Sequence, residues 1–184
     1  MKTIHIQGST GTIGINALSV VKEHPEKFKV KSLSAKSSWP LLGQQALEFN
    51  VENVAIEDES CYPQLKDMLA HSSIKIHAGK AALLDLASGE YDVTVVGVAG
   101  IDALLPTMQA VENSKVIAMA NKESIICAGN FIFEAAKRNN AIIVPVDSEH
   151  NAIFQVFETS QRSHVERLTL TASGGPFRNK TLEE

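Results

Sequence analysis

Cysteine is scarce: Cys61 and Cys127 are the only two in 184 residues, and they form no C-x-x-C. That argues against a disulfide scaffold and against a zinc site. There is no basic tail or Lys/Arg block, and 17 Lys+Arg against 21 Asp+Glu leave a formal net charge of −4. Nucleic acid and anionic membrane surfaces are therefore poor partners. No apolar run approaches the roughly 18 residues that a membrane span needs. The opening "MKTIHIQGS" enters a strand pattern at once, which leaves no room for a signal or transit peptide. Internal repeats, low-complexity segments and linkers are also missing. What remains is the expectation of a cytoplasmic globular protein, 44% hydrophobic, with enough apolar residues for one core.

Short apolar runs alternate with longer amphipathic stretches. Strands are expected at 3–7, 28–35, 53–57, 74–76, 92–98, 115–120, 141–146 and 167–173. Helices are expected at 12–23, 40–49, 61–70, 79–88, 101–113, 122–138 and 150–159. In the first helix, Ile13, Ala17, Val20 and Val21 should share one side. "DVTVVGV" (92–98) is β-branched with almost no polar alternation, as in a strand buried on both faces of a parallel sheet. This alternation predicts an α/β fold with a doubly wound, mainly parallel sheet of Rossmann type. The chain ends on "NKTLEE", where Thr181 resembles an N-cap, so a helix is expected to begin there and the sequence looks cut.

"QGSTGTIGINALSVV" (7–21) places Gly8, Gly11 and Gly14 between the first strand and the first helix. Glycines permit a tight turn and close backbone approach, and a helix N-terminus offers unpaired N–H groups to a pyrophosphate. Ser9, Thr10 and Thr12 add hydroxyls. A glycine-rich turn that binds nothing is the plainer reading, but the position at the first βα junction favours a nucleotide. An NAD site wants an acid about 20 residues on, for the ribose 2′-hydroxyl. Here "SLSAKSSW" (32–39) has none and supplies Lys36, Ser37 and Ser38, which suit a 2′-phosphate, unless Lys36 is only a solvated charge.

Tyr62 and Lys66 make a Y-x-x-x-K pair, the spacing used by short-chain dehydrogenases, but directly after the third strand it reads as an exposed helical pair. In "AMANKESIICAG" (118–129), Asn121, Lys122 and Glu123 stand at the carboxyl end of a strand, where open α/β sheets hold their ligands. An ordinary capped helix start fits them equally well. Cys127, inside "SIICAG", reads as a buried structural thiol rather than the nucleophile of a semialdehyde-type dehydrogenase. Asp147 and Glu149 follow "AIIVPV". In an extended segment, side chains two apart point the same way. Both carboxylates could then converge as hard donors for Mg²⁺ or Mn²⁺, with a third ligand from elsewhere. A solvated turn is the alternative, and His150 reads as structural. "TASGGPF" (171–177) resembles an anion nest around Ser173.

Together "GSTGTIG", "ANKES", "PVDSEHNAIFQ" and "TASGGPF", in this order and spacing, strongly resemble the 1-deoxy-D-xylulose 5-phosphate reductoisomerase family along the whole chain. The resemblance implies an enzyme that uses NADPH and a divalent metal. It would rearrange and reduce 1-deoxy-D-xylulose 5-phosphate to 2-C-methyl-D-erythritol 4-phosphate in non-mevalonate isoprenoid synthesis, as a homodimer when full length. It implies Thr10, Gly11, Thr12, Ile13, Asn121 and Glu123 as NADPH contacts. Lys122, Ser148, Glu149 and Ser173 would contact a phosphorylated sugar, and Asp147 and Glu149 would hold the metal. Lys122, Asp147 and Glu149 would then be the catalytic groups. The family usually has Ala-Gly-Lys-Asn or close to it where this chain has Ala-Lys-Ser-Ser (35–38), which shifts the lysine by one. Family members run to roughly twice this length, as expected of more than one domain. The resemblance therefore implies an NADPH-binding domain at 1–146 and the incomplete start of an α+β catalytic domain at 147–184. It implies a fragment inactive alone, because the third metal ligand and a lid lie beyond it. A non-catalytic NADP-binding module is the alternative.

Overall fold

A computed structural model describes residues 1–171 and 179–181. The chain divides into two compact units, Met1–Val144 and Pro145–Glu184. The first is built on a seven-stranded sheet in the order β4-β3-β2-β1-β5-β6-β7. Its strands are β1 (Lys2–Gln7), β2 (Phe28–Ala35), β3 (Asn53–Ile56), β4 (Lys75–Ala78), β5 (Tyr91–Val96), β6 (Ser114–Met119) and β7 (Ile142–Pro145). The pairs β1–β2, β1–β5, β2–β3, β3–β4 and β5–β6 are all parallel. Parallel neighbours need crossovers, and these are α1 (Thr12–Glu23), α2 (Trp39–Glu48), α3 (Tyr62–Met68), α4 (Lys80–Ala87), α5 (Leu104–Asn113) and α6 (Lys122–Asn139). The chain runs outward from β1 through β2 and β3 to β4, then returns to β5 and runs outward the other way. Right-handed crossovers in opposite directions put helices on opposite faces, and β1/β5 is the switch point. The doubly wound sheet expected from the alternation is present.

Two apolar clusters follow from this winding. Leu18 and Val21 of α1 pack with Val30, Leu33, Leu42, Val54, Ile56 and Leu65, while Ala110, Val111, Ile117, Ile132 and Ala135 form a second cluster with α5 and α6. Each fully buried Leu or Ile contributes about 1.5–3 kcal/mol relative to exposure. The stripe that α1 buries is Gly14, Leu18 and Val21. Val20, expected on that side, is 53% exposed because it falls off the i, i+4, i+7 row.

Local chemistry sets the helix ends. Prolines stand at the first turn of α2 and α3, where a missing N–H costs nothing. In α6, Asn121 caps the start and Asn140 closes the end in the left-handed conformation at φ 54°, after Lys137 and Arg138 in the last turn. At the amino ends of the strands, Asp92 of β5 accepts from Lys115 Nζ of β6 at 2.7 Å and from Thr3 N and Oγ1 of β1 at 2.8 and 3.0 Å. The lysine first, and Thr3 next, hold its carboxyl well below the usual range.

The second unit contains α7 (Ser148–Val156) and a 3₁₀ segment over Thr159–His164. The strand expected at 167–173 is not formed over its described part, 167–171, where every residue is exposed. A strand exists only through a partner, and no described segment pairs with it. The rest of that strand, the nest at Ser173 and the helix expected to begin at Thr181 lie in or run into residues outside those described. No described helix is long and apolar enough to cross a membrane.

Candidate functional site

The glycine turn does at the switch point what its sequence suggests. Gly8 takes φ +71°, and a Cβ there would meet the Gly97 backbone at 3.1 Å. Gly14 is more constrained: a Cβ would come within 2.4 Å of Ser9 Cα and 2.5 Å of Gly8 O. These contacts fold the turn tightly beneath the start of α1. Gly11 is the N-cap of α1; among the described residues no side chain caps that end, and no acid occupies its first turn. The first N–H groups of α1 are thus left for an anion.

A cleft of about 330 Å³ opens beside this turn, at the carboxyl ends of β1, β2 and β5. Thr10 and Gly11 line it from the turn, Ala35 and Lys36 from the end of β2, and Val98 and Ala99 from the loop after β5. Glu57 and Leu83 line it too, and neither stands out in the sequence. Gln7 contributes a carboxamide whose buried Oε1 has no partner among the described residues, while its Nε2 donates to Pro106 O at 3.2 Å. A buried acceptor left open in a cleft wall suits a site completed by a ligand or water. A larger depression of about 530 Å³ lies beside Asp92 and Lys115 at the amino ends of the strands. Doubly wound sheets bind at the carboxyl ends, so the smaller cleft is the candidate.

The predicted residues distribute unevenly around it. Thr12 opens α1 and is exposed, and Ile13 packs half-buried against the first core cluster. Ser9 points away: its Oγ donates to Gln45 Oε1 at 2.8 Å and its carbonyl accepts from Gln45 Nε2 at 3.0 Å. It fixes the turn to α2 and adds no hydroxyl to the cleft. Lys36, Ser37 and Ser38 are exposed, and of the three only Lys36 lines the cleft. Ser37 O accepts from Trp39 N at 2.8 Å, and Ser38 is the N-cap of α2.

Asn121 is buried, and its Oδ1 accepts from Ser124 N at 2.7 Å as a helix cap. Its Nδ2 donates to Val98 O at 3.0 Å, Gly100 O at 2.9 Å and Glu123 Oε2 at 3.1 Å. Lys122 is exposed at the start of α6. Cys127, expected to be buried, is exposed: α6 buries Ser124, Ile132, Ala135 and Ala136, and the thiol falls outside that stripe. Lys66 Nζ lies 5.9 Å from the Tyr62 ring centroid, an i,i+4 contact along α3.

In the second unit the acids do not both sit on an extended segment. Asp147, itself extended, is the N-cap of α7 and Glu149 lies in its first turn, so the strand alternation does not run through both. Asp147 makes no side-chain capping bond, but its charge and that of Glu149 both favour the positive end of the helix dipole. His150 Nδ1 hydrogen-bonds Asp147 Oδ2, a partnership the sequence alone did not reveal. Ser148 Oγ donates to Glu149 Oε2 at 2.7 Å, and Asn151 Nδ2 donates to Pro145 O at 2.7 Å. Among the described residues no group of three or more His, Cys, Asp or Glu could hold a metal ion. Two hard carboxylates still fit Mg²⁺, which takes few protein oxygens beside water and substrate.

The family model described as 1-deoxy-D-xylulose 5-phosphate reductoisomerase matches residues 4–129, and the one for that enzyme's C-terminal domain matches residues 143–184. A relative of that name from Wolbachia pipientis subsp. Culex pipiens is 43% identical over 185 residues, covering 100% of this chain and 47% of its own. One from Bacteroides fragilis is 45% identical over 184 residues, with the same shares. The solved 1-deoxy-D-xylulose 5-phosphate reductoisomerase of Zymomonas mobilis, in complex with NADPH, superposes with a TM-score of 0.90 at 37% identity, covering 99% of this chain and 48% of that one. A further solved reductoisomerase, in complex with NADPH, fosmidomycin and magnesium, gives 0.88 at 32% identity, covering 100% of this chain and 48% of that one. The chain thus spans about half the length of the curated relatives it matches.

Proposed function

The chain belongs to the 1-deoxy-D-xylulose 5-phosphate reductoisomerase family, and from that premise we propose that it forms the NADPH-binding half of such an enzyme. The whole protein would convert 1-deoxy-D-xylulose 5-phosphate to 2-C-methyl-D-erythritol 4-phosphate, for non-mevalonate isoprenoid synthesis, as a cytoplasmic homodimer. Residues 1–146 are the dinucleotide domain in this reading, and 147–184 begin the catalytic domain. The observation that carries it is the Gly8–Gly14 turn at the switch point, with its uncapped helix start and the cleft beside it.

Thr10, Gly11 and the first N–H groups of α1 would bind the pyrophosphate, with Thr12 and Ile13 completing the turn. Lys36, with Ser37 and Ser38 next to it, would take the 2′-phosphate. Asn121 and Glu123 would shape the nicotinamide side. Asp147 and Glu149 would hold Mg²⁺ or Mn²⁺, and Lys122, Ser148, Glu149 and Ser173 would bind and orient the phosphorylated sugar. When bound, NADPH supplies a hydride and the cation a Lewis acid for the sugar's carbonyl and hydroxyl oxygens.

Titrating NADPH and NADH against the chain, with nicotinamide fluorescence as the readout, tests the binding half. NADPH should bind, and NADH more weakly. Absence of binding at high micromolar NADPH would sink the reading. In a protein of the relatives' full length, Asp147→Ala should abolish metal-dependent turnover while sparing NADPH affinity.

A further inference from the structure

We propose that Glu57 recognises the adenine base of the dinucleotide by accepting a hydrogen bond from its exocyclic amine; the inference rests on the dinucleotide reading of the cleft. Strand order decides which half of the cofactor lies where. The pyrophosphate sits at the start of α1, above the β1/β5 switch point. The adenosine ribose then stands over the end of β2, where Lys36 faces its 2′ position. The nicotinamide half takes the β5 and β6 side, so the base extends the other way, towards β3.

Glu57 is the residue that directly follows β3 there. Its backbone N donates to Ala35 O at 3.0 Å, which fixes the end of β3 beside the end of β2. It lines the same cleft as Ala35 and Lys36. Leu83 of α4 gives that cleft apolar surface for a flat heterocycle. The Glu57 side chain is only 18% exposed, and its Oε1 lies 3.9 Å from Lys80 Nζ. That separation offsets charge but is too long for a hydrogen bond, so the carboxylate keeps lone pairs for a donor in the cleft.

An ionised carboxylate only accepts. Adenine offers it the N6 amine, whereas a 6-oxo purine presents an acceptor at the same place. The acid that marks NAD sites belongs at the end of β2, one strand nearer the ribose. An acid after β3 is therefore compatible with Lys36 holding a 2′-phosphate, and reads the base instead.

The test compares NADPH with deamino-NADPH, in which a 6-oxo group replaces the amine, by fluorescence titration of the chain. The wild type should bind NADPH about tenfold or more tighter, the scale of one charge-assisted hydrogen bond. Glu57→Gln keeps the shape and can donate to a 6-oxo group, so it should bring the two ligands within about twofold. An unchanged ratio in Glu57→Gln, or tighter binding of both ligands by the same factor, would overturn the proposal and leave Glu57 as a charge that merely repels phosphate. Tight NADPH binding with no discrimination by the wild type overturns it alone. Failure of the wild type to bind either ligand overturns the dinucleotide reading and the proposal with it. The wild-type ratio needs no variant, so it decides even if Glu57→Gln fails to fold.

Discussion

The side-chain amide of Asn121 donates to the carbonyl of Gly100 at 2.9 Å, and through the same nitrogen to Val98 O at 3.0 Å. One buried side chain thereby joins the loop after β5 to the first turn of α6, since its oxygen caps Ser124 N. Val98 lines the cleft, so Asn121 would influence a cofactor by holding that wall in place.

Asn121→Asp keeps the capping acceptor but turns a carboxylate towards two carbonyls and Glu123. We expect NADPH affinity to fall about tenfold or more and stability to fall by about 1–3 kcal/mol, the scale of buried polar groups left unsatisfied. Asn121→Ala should lose the cap as well, which costs about a further 1 kcal/mol. Urea unfolding and NADPH titration on the same samples measure both. Wild-type affinity in Asn121→Asp would show that the amide does not position the loop.

Two glycines of the turn should respond differently to alanine. At Gly14 a methyl would sit 2.4 Å from Ser9 Cα, and backbone must move; at Gly11 it would meet Gly8 O at an ordinary 3.5 Å. Gly14→Ala should destabilise by about 1–3 kcal/mol or more, the cost of overpacking, and abolish NADPH binding. Gly11→Ala should unfold close to wild type and weaken only the pyrophosphate's approach. Equal unfolding midpoints for the two variants would contradict the packing account.

These glycines are legible in sequence because their roles are completed within one turn. The same holds for the strand–helix alternation, whose periods are local. Ser9 is different: its partner Gln45 lies 36 residues away, and no nearby pattern announces it. Cys127 was hidden by an apolar run that shows no preferred face, so tertiary packing alone decides which residues α6 buries. The start of α7 did carry a signal, an aspartate cap followed by an acid, but the preceding apolar run and Pro145 suggested a continuing strand. Glu57 reaches the cleft only because β3 pairs beside β2, a topological fact outside any local window.

Lys36 is the charged side chain that the structure brings to the cleft from the end of β2. Lys36→Ala should weaken NADPH about tenfold and leave NADH unchanged, because only the former carries the 2′-phosphate. The loss should shrink with added salt, since an exposed cation is screened. Equal losses for the two cofactors would place Lys36 at the pyrophosphate instead.

His5 makes stability depend on pH. It lies fully buried in β1, stacked on Tyr91 with ring centroids 5.0 Å apart, with Nδ1 2.8 Å from Ser32 Oγ and Nε2 without a partner among the described residues. Burial pushes its pKa down from 6.5 to about 4, against a smaller opposing effect of its hydrogen bond to the Ser32 backbone. The unfolded chain therefore binds the proton first as pH falls. The stability that His5 contributes as a neutral ring is complete above about 6.5 and is lost progressively towards pH 4, by roughly 3 kcal/mol in all. Urea unfolding from pH 7.5 to 4.5 should show this slope. His5→Phe keeps the stacking on Tyr91 and removes the titrating group, so its slope over the same range should be shallower by about one proton. A variant with the wild-type slope would move the acid sensitivity to other groups.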